Sequence, residues 1–127
     1  MRDICVIQDN SSENLALIGE ILGEAGVNIE GLSLTTCNGQ SVIHFVVEDD
    51  TTARHVLEDS GIRIMEISEI FVLHKDKKRI TGKPSSFGRI CRLFTENEIR
   101  INFGYPAENN RFIFGVDNFK KAQELLG

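Results

Sequence analysis

The sequence predicts an α+β protein that consists of two consecutive βαββαβ units, each an antiparallel sheet with helices on one face. The first observation is a repeat in the apolar pattern. An offset of 72 residues carries Leu22 to Phe94, and after a three-residue deletion an offset of 69 carries Phe45 to Phe114. The second observation is that helical and strand periodicities follow one another in the order β-α-β-β-α-β. The third is that glycine and Asn-Gly signals separate these segments. A repeat of this length indicates one supersecondary unit built twice.

A strand and a helix open the first unit. Ile4–Ile7 is a continuous apolar run that is typical of a strand covered on at least one face. Asn10 and Glu13 stand three residues apart in a capping-box pattern, which predicts the start of a helix. We predict that this helix ends at Gly26. The residues on its apolar stripe are Leu15, Ile18, Leu22 and Ala25.

A hairpin, a second helix and a last strand complete the first unit. The apolar alternation that follows the first helix changes phase near Gly31, which predicts a β-bulge there. An Asn-Gly pair at 38–39 predicts a two-residue hairpin turn, and Val42–Val47 is the returning strand. We predict a short helix over Asp49–Asp59 and a strand over Ile62–Ser68. This order is the ferredoxin-like split βαβ unit.

The second unit begins with a less regular match. Ile70–His74 resembles Ile4–Gln8 at an offset of 66, so we predict that the first strand of the second unit spans Glu69–Lys75. The two predicted domains are therefore residues 1–68 and 69–127.

The rest of the second unit follows the repeat. Asp76–Gly82 reads as a charged loop, and Pro84 starts a helix with Phe87 on its inner face. Ile99–Tyr105 alternates cleanly as a strand, and Asn118 caps a last helix. We expect the second unit to lack its final strand, which leaves one sheet edge in need of cover. The aromatic residues that we predict to share one sheet face are Phe103, Tyr105, Phe112 and Phe114.

Composition limits the functional classes. The formal net charge is −5 and the pI about 5.2, which argues against nucleic-acid binding because that function favours a basic surface. We expect no membrane helix, because no apolar run is long enough for one, and no signal peptide. The three cysteines, Cys5, Cys37 and Cys91, are an odd number without a Cys-x-x-Cys pair, which fits a reducing compartment. We therefore expect a cytoplasmic protein with no metal and no cofactor.

Several segments resemble ACT domains. Asn14–Ser33 resembles the core of such a domain, and the phrase Ala-Gly-Val-Asn-Ile at 25–29 is its most specific part. Ile43–Glu48 resembles the later strand, and Gly82–Ile90 resembles the start of a second copy. The resemblance spans nearly the whole chain and implies a tandem ACT protein. It further implies a non-catalytic regulatory sensor that binds a small amino acid, acts allosterically, forms a homodimer and has an amino-acid metabolic enzyme as a candidate partner.

The resemblance also implies a ligand site at an interface between ACT units. The ligand would lie between the first strand–helix loop of one copy and the second-strand asparagine of its neighbour. A helix N-terminus attracts a carboxylate, and an asparagine amide both donates and accepts hydrogen bonds. The implied site residues are Gln8, Asn10, Ser11, Ser12, Glu13, Asn28 and Ile29 in the first copy, and His74 (in the place of Gln8) and Arg100 (in the place of Asn28) in the second.

Each of these residues also has a simpler interpretation. Asn10 is either a ligand group or a helix cap, with Glu13 as its capping partner, and Asn28 is either a ligand group or a polar turn residue. His74 and Arg100 are ordinary strand residues in the simpler interpretation. The family's Pro-Gly pair is Ser12-Glu13 here, and the Glu13 carboxylate repels a ligand carboxylate, which puts this pocket in doubt.

Other functions exist on the same topology. An RNA-binding module would use exposed sheet aromatics such as Phe112 and Phe114, although the net charge argues against it. A structural or protein-interaction module with a degenerate ligand site is the other alternative. A small acylphosphatase-like enzyme would need an arginine-lined phosphate loop, whereas 9–13 is acidic. Fold alone favours none of these functions.

Overall fold

The computed structural model describes residues 1–78 and 81–127, and the chain divides into two compact units, Met1–Ser68 and Glu69–Gly127. The elements of the first unit are β1 (Arg2–Asp9), α1 (Ser12–Glu24), β2 (Gly31–Cys37), β3 (Gln40–Val47), α2 (Asp50–Asp59) and β4 (Glu66–Glu69). The elements of the second unit are β5 (Phe71–His74), α3 (Ser86–Glu96), β6 (Ile101–Ala107), β7 (Arg111–Val116) and α4 (Phe119–Leu126). The predicted α+β fold of ferredoxin-like units is confirmed.

The first unit is a four-stranded antiparallel sheet in the order β2-β3-β1-β4. Alternate residues of β1 and β3, such as Ile4 and Phe45, face α1 and α2 and are fully buried. From the helices, Leu22 and Leu57 complete this core. The hairpin turn is the predicted one: Asn38 and Gly39 both have positive φ, as a type I′ turn requires.

Three helices end in the same hydrogen-bond motif. After α1, the Val27 amide donates to the Leu22 carbonyl at 2.9 Å, and Gly26 has φ +73°. After α2, Gly61 has φ +81° in the same role. After α3, the left-handed residue is Glu98, with φ 58°. This Schellman arrangement satisfies the last carbonyls of a helix and favours glycine at the left-handed position, so Glu98 is the strained member of the set.

The second unit has a three-stranded antiparallel sheet in the order β5-β7-β6. Its core contains Phe71, Phe94 and Phe114, whose rings lie 5.2–6.5 Å apart. β5 is an edge strand among the residues that the structure describes, whereas β1 of the first unit lies between β3 and β4. Part of the predicted charged loop, residues 79 and 80, lies outside the described residues.

The predicted offset between the first strands is wrong by one residue. Ile4 pairs with Phe45, and Phe71 pairs with Phe114, which is 69 residues beyond Phe45. Ile4 and Phe71 are both buried against helices, so the offset between β1 and β5 is 67 rather than 66. Because strand side chains alternate, this one-residue shift exchanges the faces of the sheet.

The predicted β-bulge lies in the other unit. β2 pairs with β3 in continuous register from Gly31 to Cys37. In the second unit the register shifts between Ile101 and Phe103, and Phe103 stands 72 residues beyond Gly31. The predicted clean alternation over Ile99–Tyr105 is therefore wrong.

The shift separates the four aromatic residues that we predicted to share a face. Phe112 and Phe114 face α3 and α4. Phe103 and Tyr105 stack on each other at 6.2 Å and pair with Gly115 and Ile113, which places them on the opposite face. The prediction of one cluster is wrong, and the exposed aromatic platform that an RNA-binding module needs is not formed by Phe112 and Phe114, since Phe114 is 1% exposed.

The starts of two helices also differ from prediction. The N-cap of α1 is Ser11, whose Oγ accepts a hydrogen bond from the Glu13 amide at 3.2 Å, so the predicted Asn10–Glu13 capping box is wrong. The predicted inner residue Phe87 is 45% exposed, although its ring lies 5.0 Å from that of Phe112. The described residues include no helix that is long and apolar enough to cross a membrane.

Candidate functional site

The loop between β1 and α1 is held at both ends by hydrogen bonds. The Asn10 amide donates to the Gly39 carbonyl at 3.0 Å, which ties the loop to the β2–β3 hairpin turn. The Asn14 side chain donates to the Asp9 carbonyl at 3.0 Å, which ties the end of β1 to the first turn of α1. The loop is therefore a defined surface beside the α1 N-terminus. Asn14 was not among the predicted site residues.

Gln8 provides the one polar atom of this region that is buried without a partner among the described residues. Its Oε1 is inaccessible to solvent and accepts no hydrogen bond there. On the neighbouring strand, Ser41 pairs with Gln8 and is 3% exposed. The Ser41 hydroxyl lies 3.5 Å from Asn10 Oδ1, so it is directed to the loop. An unsatisfied buried acceptor costs free energy and calls for an explanation.

The electrostatics of the loop are mixed. The α1 N-terminus carries partial positive charge from its amides. Asp9 and Glu13 are exposed and bring two carboxylates to the same turn. Ser11 and Ser12 are exposed and add hydroxyl groups between them. This arrangement suits a ligand that has both an ammonium and a carboxylate group.

Asn28 and Ile29 lie at the other end of the same sheet. Gly31, two residues beyond Ile29, pairs with Val46, whereas Gln8 pairs with Ser41 five residues away along β3. Asn28 is exposed, and its amide donates to the Glu30 carboxylate. Ile29 packs partly against the core. In the first unit, residues 8–13 thus lie together, and Asn28 and Ile29 lie apart from them.

His74 does not occupy the place of Gln8. With the offset of 67, Lys75 is the counterpart of Gln8, and its amide donates to the Asn110 carbonyl at 3.1 Å. His74 pairs with Arg111 and is exposed. Partial desolvation lowers the pKa of His74, and the cations of Lys77 and Arg111 lower it further. His74 is therefore neutral at pH 7 and lies on the other face of the sheet from the position we predicted.

Arg100 lies in the second unit at the end of the sheet opposite His74. It precedes β6, whose first residue Ile101 pairs with Val116, whereas His74 pairs with Arg111. The Arg100 side chain is exposed and borders an open cleft of about 490 Å³. As in the first unit, the two groups of predicted site residues occupy opposite ends of one sheet.

Sequence reasoning missed a buried ion pair in the first unit. On the face of the sheet away from the helices, His44 Nδ1 lies 2.8 Å from Asp3 Oδ2, and Asp3 is fully buried. The hydrogen bond to Asp3, with a smaller contribution from Cys5, raises the pKa of His44 from 6.5 to about 10. His44 is therefore a cation at neutral pH. The two residues are 41 positions apart, so only the strand register reveals the pair.

The comparisons with known proteins agree with this architecture. The sequence model of an ACT domain pair matches residues 1–126. No curated protein matches the chain in sequence.

Two solved structures with similar folds cover 98% of the chain. Protein BT0572 from Bacteroides thetaiotaomicron superimposes with a TM-score of 0.79 at 17% identity, over 85% of that protein. The ligand-free regulatory subunit of aspartate kinase from Thermus thermophilus superimposes with a TM-score of 0.73 at 15% identity, over 87% of that subunit. At these identities the likeness shows a shared fold.

Proposed function

The chain belongs to the ACT domain pair family, and we propose that it is a non-catalytic regulatory protein that senses an α-amino acid. Family membership supports a regulatory role. The fold is shared with an aspartate kinase regulatory subunit, which supports a partner among enzymes of amino-acid metabolism. The ligand and the partner are our proposal for this chain, as is a cytoplasmic location.

The buried Oε1 of Gln8 is the observation that supports the position of the ligand. A buried acceptor that has no donor among the described residues favours a ligand group that carries an N–H. We place the ligand ammonium on Gln8 Oε1, which a change of the Gln8 side-chain rotamer brings from its buried position to the surface of the loop, and Asp9 and Glu13 add favourable charge. The ligand carboxylate then faces the first-turn amides of α1 and the Ser12 hydroxyl. In this arrangement Glu13 selects for the ammonium of the ligand.

A second ACT unit completes the proposed site. Asn28 and Ile29 are too far along the sheet to meet the β1–α1 loop of their own unit. We propose that a second copy of the chain supplies them, so that the ligand links a homodimer. Ligand binding then favours one assembled state and shifts the population toward it, which is the thermodynamic basis of allosteric regulation.

A thermal-shift screen of the full chain against the twenty amino acids tests this function. A ligand at about 100 times its Kd stabilises the folded state by about 2.7 kcal/mol. Gln8→Leu removes the unsatisfied oxygen, so we expect the free protein to keep its stability or gain about 1 kcal/mol, and to lose its ligand response. Gln123→Leu, on α4, is the matched control and should keep the response.

The alternative of a structural module with a degenerate site gives a different result. In that case no amino acid raises the melting temperature of the unmodified chain. A response that survives Gln8→Leu in full would show that an amino acid binds elsewhere and would remove Gln8 from the site.

A further inference from the structure

A thiol lies beside the buried ion pair of the first unit, on the face of the sheet away from the helices. Cys5 is directly opposite His44 in the register of β1 and β3, and Asp3 precedes Cys5 by two residues, on the same face. His44 Nδ1 lies 2.8 Å from Asp3 Oδ2. We refer to Cys5, His44 and Asp3 as the Cys5 cluster. Gln8 alternates onto the other face of β1, so the cluster is separate from the proposed amino-acid site.

The side chains of Cys5 and His44 interact directly. Residues that face each other across an antiparallel pair have Cβ atoms about 4.5–5.5 Å apart, which is close enough for a sulfur to meet an imidazole ring. Asp3 is the largest cause of the raised pKa of His44, and a hydrogen bond with the Cys5 side chain is the next. His44 is therefore a cation at neutral pH that Asp3 holds in place and that lies against a thiol.

The three residue types of the cluster have complementary chemical roles. A cysteine is nucleophilic as its thiolate, and a neighbouring imidazolium favours the thiolate. The imidazolium also provides a proton for a leaving group. A carboxylate on the other ring nitrogen orients the imidazole and stabilises its cation. The cluster thus combines a nucleophile, a proton donor and a group that positions the donor.

Access to the sulfur is narrow. Cys5 is half-buried, the side chain of His44 is 18% exposed, and Asp3 is fully buried. A small oxidant such as hydrogen peroxide needs little room, whereas a bulky disulfide or a peptide substrate needs an open groove. The partial burial of the cluster therefore favours a peroxide over larger electrophiles.

We propose that Cys5 is an oxidative modification site for a peroxide, with His44 as the proton donor. The thiolate sulfur attacks one oxygen of hydrogen peroxide, so that an S–O bond forms and the O–O bond breaks. The leaving hydroxide takes the proton of the His44 imidazolium and departs as water. The sulfur is oxidised by two electrons to a sulfenic acid, and the peroxide is reduced. His44 then regains a proton from solvent.

The other cysteine of the first unit is too distant to react with this sulfenic acid. Cys37 pairs with Gln40, whereas Cys5 pairs with His44, four residues further along β3. At about 3.3 Å per residue, this separates the two cysteines by about 13 Å along the sheet. A disulfide requires Cα atoms within about 7 Å. Cys37 therefore cannot convert the oxidised Cys5 into a disulfide within the folded unit.

Oxidation of the full-length chain by hydrogen peroxide, with dimedone present to trap sulfenic acid, tests the proposal. Peptide mass spectrometry gives a separate labelling rate for each cysteine. Cys91 on α3 is the matched internal control, because it is also half-buried and desolvation raises the pKa of its thiol. We expect Cys5 to be labelled faster than Cys91 by about tenfold or more. Cys37 is exposed, and we expect Cys5 to exceed its rate as well.

Histidine variants make the test specific. His44→Gln removes the proton donor and should lower the labelling rate of Cys5 by about tenfold or more. The rates of the other two cysteines should stay unchanged. His55→Gln changes an exposed histidine of α2 and should leave all three rates unchanged. Circular dichroism shows whether each variant is folded. The double variant Asp3→Ile with His44→Ile removes both charges together, so it gives the same comparison if His44→Gln is unfolded.

Three results would overturn this inference. The first is equal labelling of Cys5 and Cys91. The second is a Cys5 rate below that of Cys37, because exposure alone would then set the order. The third is an undiminished Cys5 rate in a folded variant that lacks His44. None of these results depends on amino-acid binding, so the inference and the proposed function succeed or fail separately.

Discussion

The two units place different side chains at equivalent positions of their two sheets: a charged pair in the first unit and an apolar pair in the second. In the first unit, the face away from the helices holds the Asp3–His44 ion pair. With offsets of 67 for β1 and 69 for β3, the equivalent residues of the second unit are Ile70 and Ile113, which are 4% and 0% exposed. The same arrangement of strands therefore accommodates either a buried ion pair or a buried apolar pair. The two pairs differ in their response to mutation. Removal of one partner of a buried ion pair leaves the other group without compensation, whereas removal of one partner of an apolar pair leaves no charge uncompensated.

The units also differ in total charge. Met1–Ser68 contains three basic and twelve acidic residues, a net charge of −9, whereas Glu69–Gly127 contains eleven basic and seven acidic residues, a net charge of +4. The overall value of −5 conceals this division. A ligand that carries both charges can interact with either unit, but through different groups. The exposed carboxylates of Asp9 and Glu13 belong to the negative unit, and the exposed guanidinium of Arg100 belongs to the positive one.

The largest expected effect comes from breaking the Asp3–His44 pair. Asp3→Ala removes the carboxylate that keeps His44 protonated, so the stabilisation from the buried pair is lost and we expect the free energy of unfolding to fall by about 3–5 kcal/mol. Urea unfolding followed by circular dichroism measures the loss. The double variant Asp3→Ile with His44→Ile copies the second unit and should recover most of it.

Two results would contradict this comparison. A loss below about 1 kcal/mol for Asp3→Ala would show that the pair is not effectively buried. Failure of the double variant to exceed Asp3→Ala in stability would show that the two faces are not equivalent in packing.

The second expected effect is a pH dependence that belongs to the first unit. The pKa of His44 rises from 6.5 to about 10 on folding, so its contribution to stability is complete below pH 6.5 and is lost as the pH rises toward 10. Between pH 6 and pH 9 we expect the unmodified chain to lose on the order of 1–3 kcal/mol more than His44→Gln. Urea unfolding of both proteins at the two pH values measures the difference. Equal losses would assign the pH dependence to other groups.

Local sequence signals were sufficient for the turns and helix ends. The Asn38-Gly39 turn and the helix end at Gly26 depend on the backbone conformation of a few adjacent residues, and both were predicted correctly. The register of β5 was predicted wrongly. The run from Ile70 to Leu73 is apolar throughout, so it contains no alternation that indicates which residues face the helices. The pairing of Phe71 with Phe114 sets this register.

The candidate sites show the same limit. The helix start and its serines were recognisable from spacing, although the cap was assigned to Asn10 instead of Ser11. The unsatisfied oxygen of Gln8 depends on how deeply one side chain is buried, which no local pattern encodes. Cys5 and His44 are far apart in the chain and meet only through the register of β1 and β3.

The smallest expected effect concerns the two helix ends that the repeat relates, at Gly26 and Glu98. Both residues have positive φ, which costs an L-residue with a side chain about 1 kcal/mol relative to glycine. Glu98→Gly should therefore stabilise the chain by about 1 kcal/mol, and Gly26→Ala should destabilise it by a similar amount. A Cβ at Gly26 would meet no atom within 4 Å, so the expected loss there comes from backbone conformation alone.

Glu98→Ala removes the same carboxylate and keeps the left-handed strain, so it is the control that separates charge from conformation. Urea unfolding of the three variants gives the comparison. A gain in Glu98→Ala equal to that in Glu98→Gly would mean that the carboxylate, and not the backbone, makes the end of α3 less stable than the end of α1.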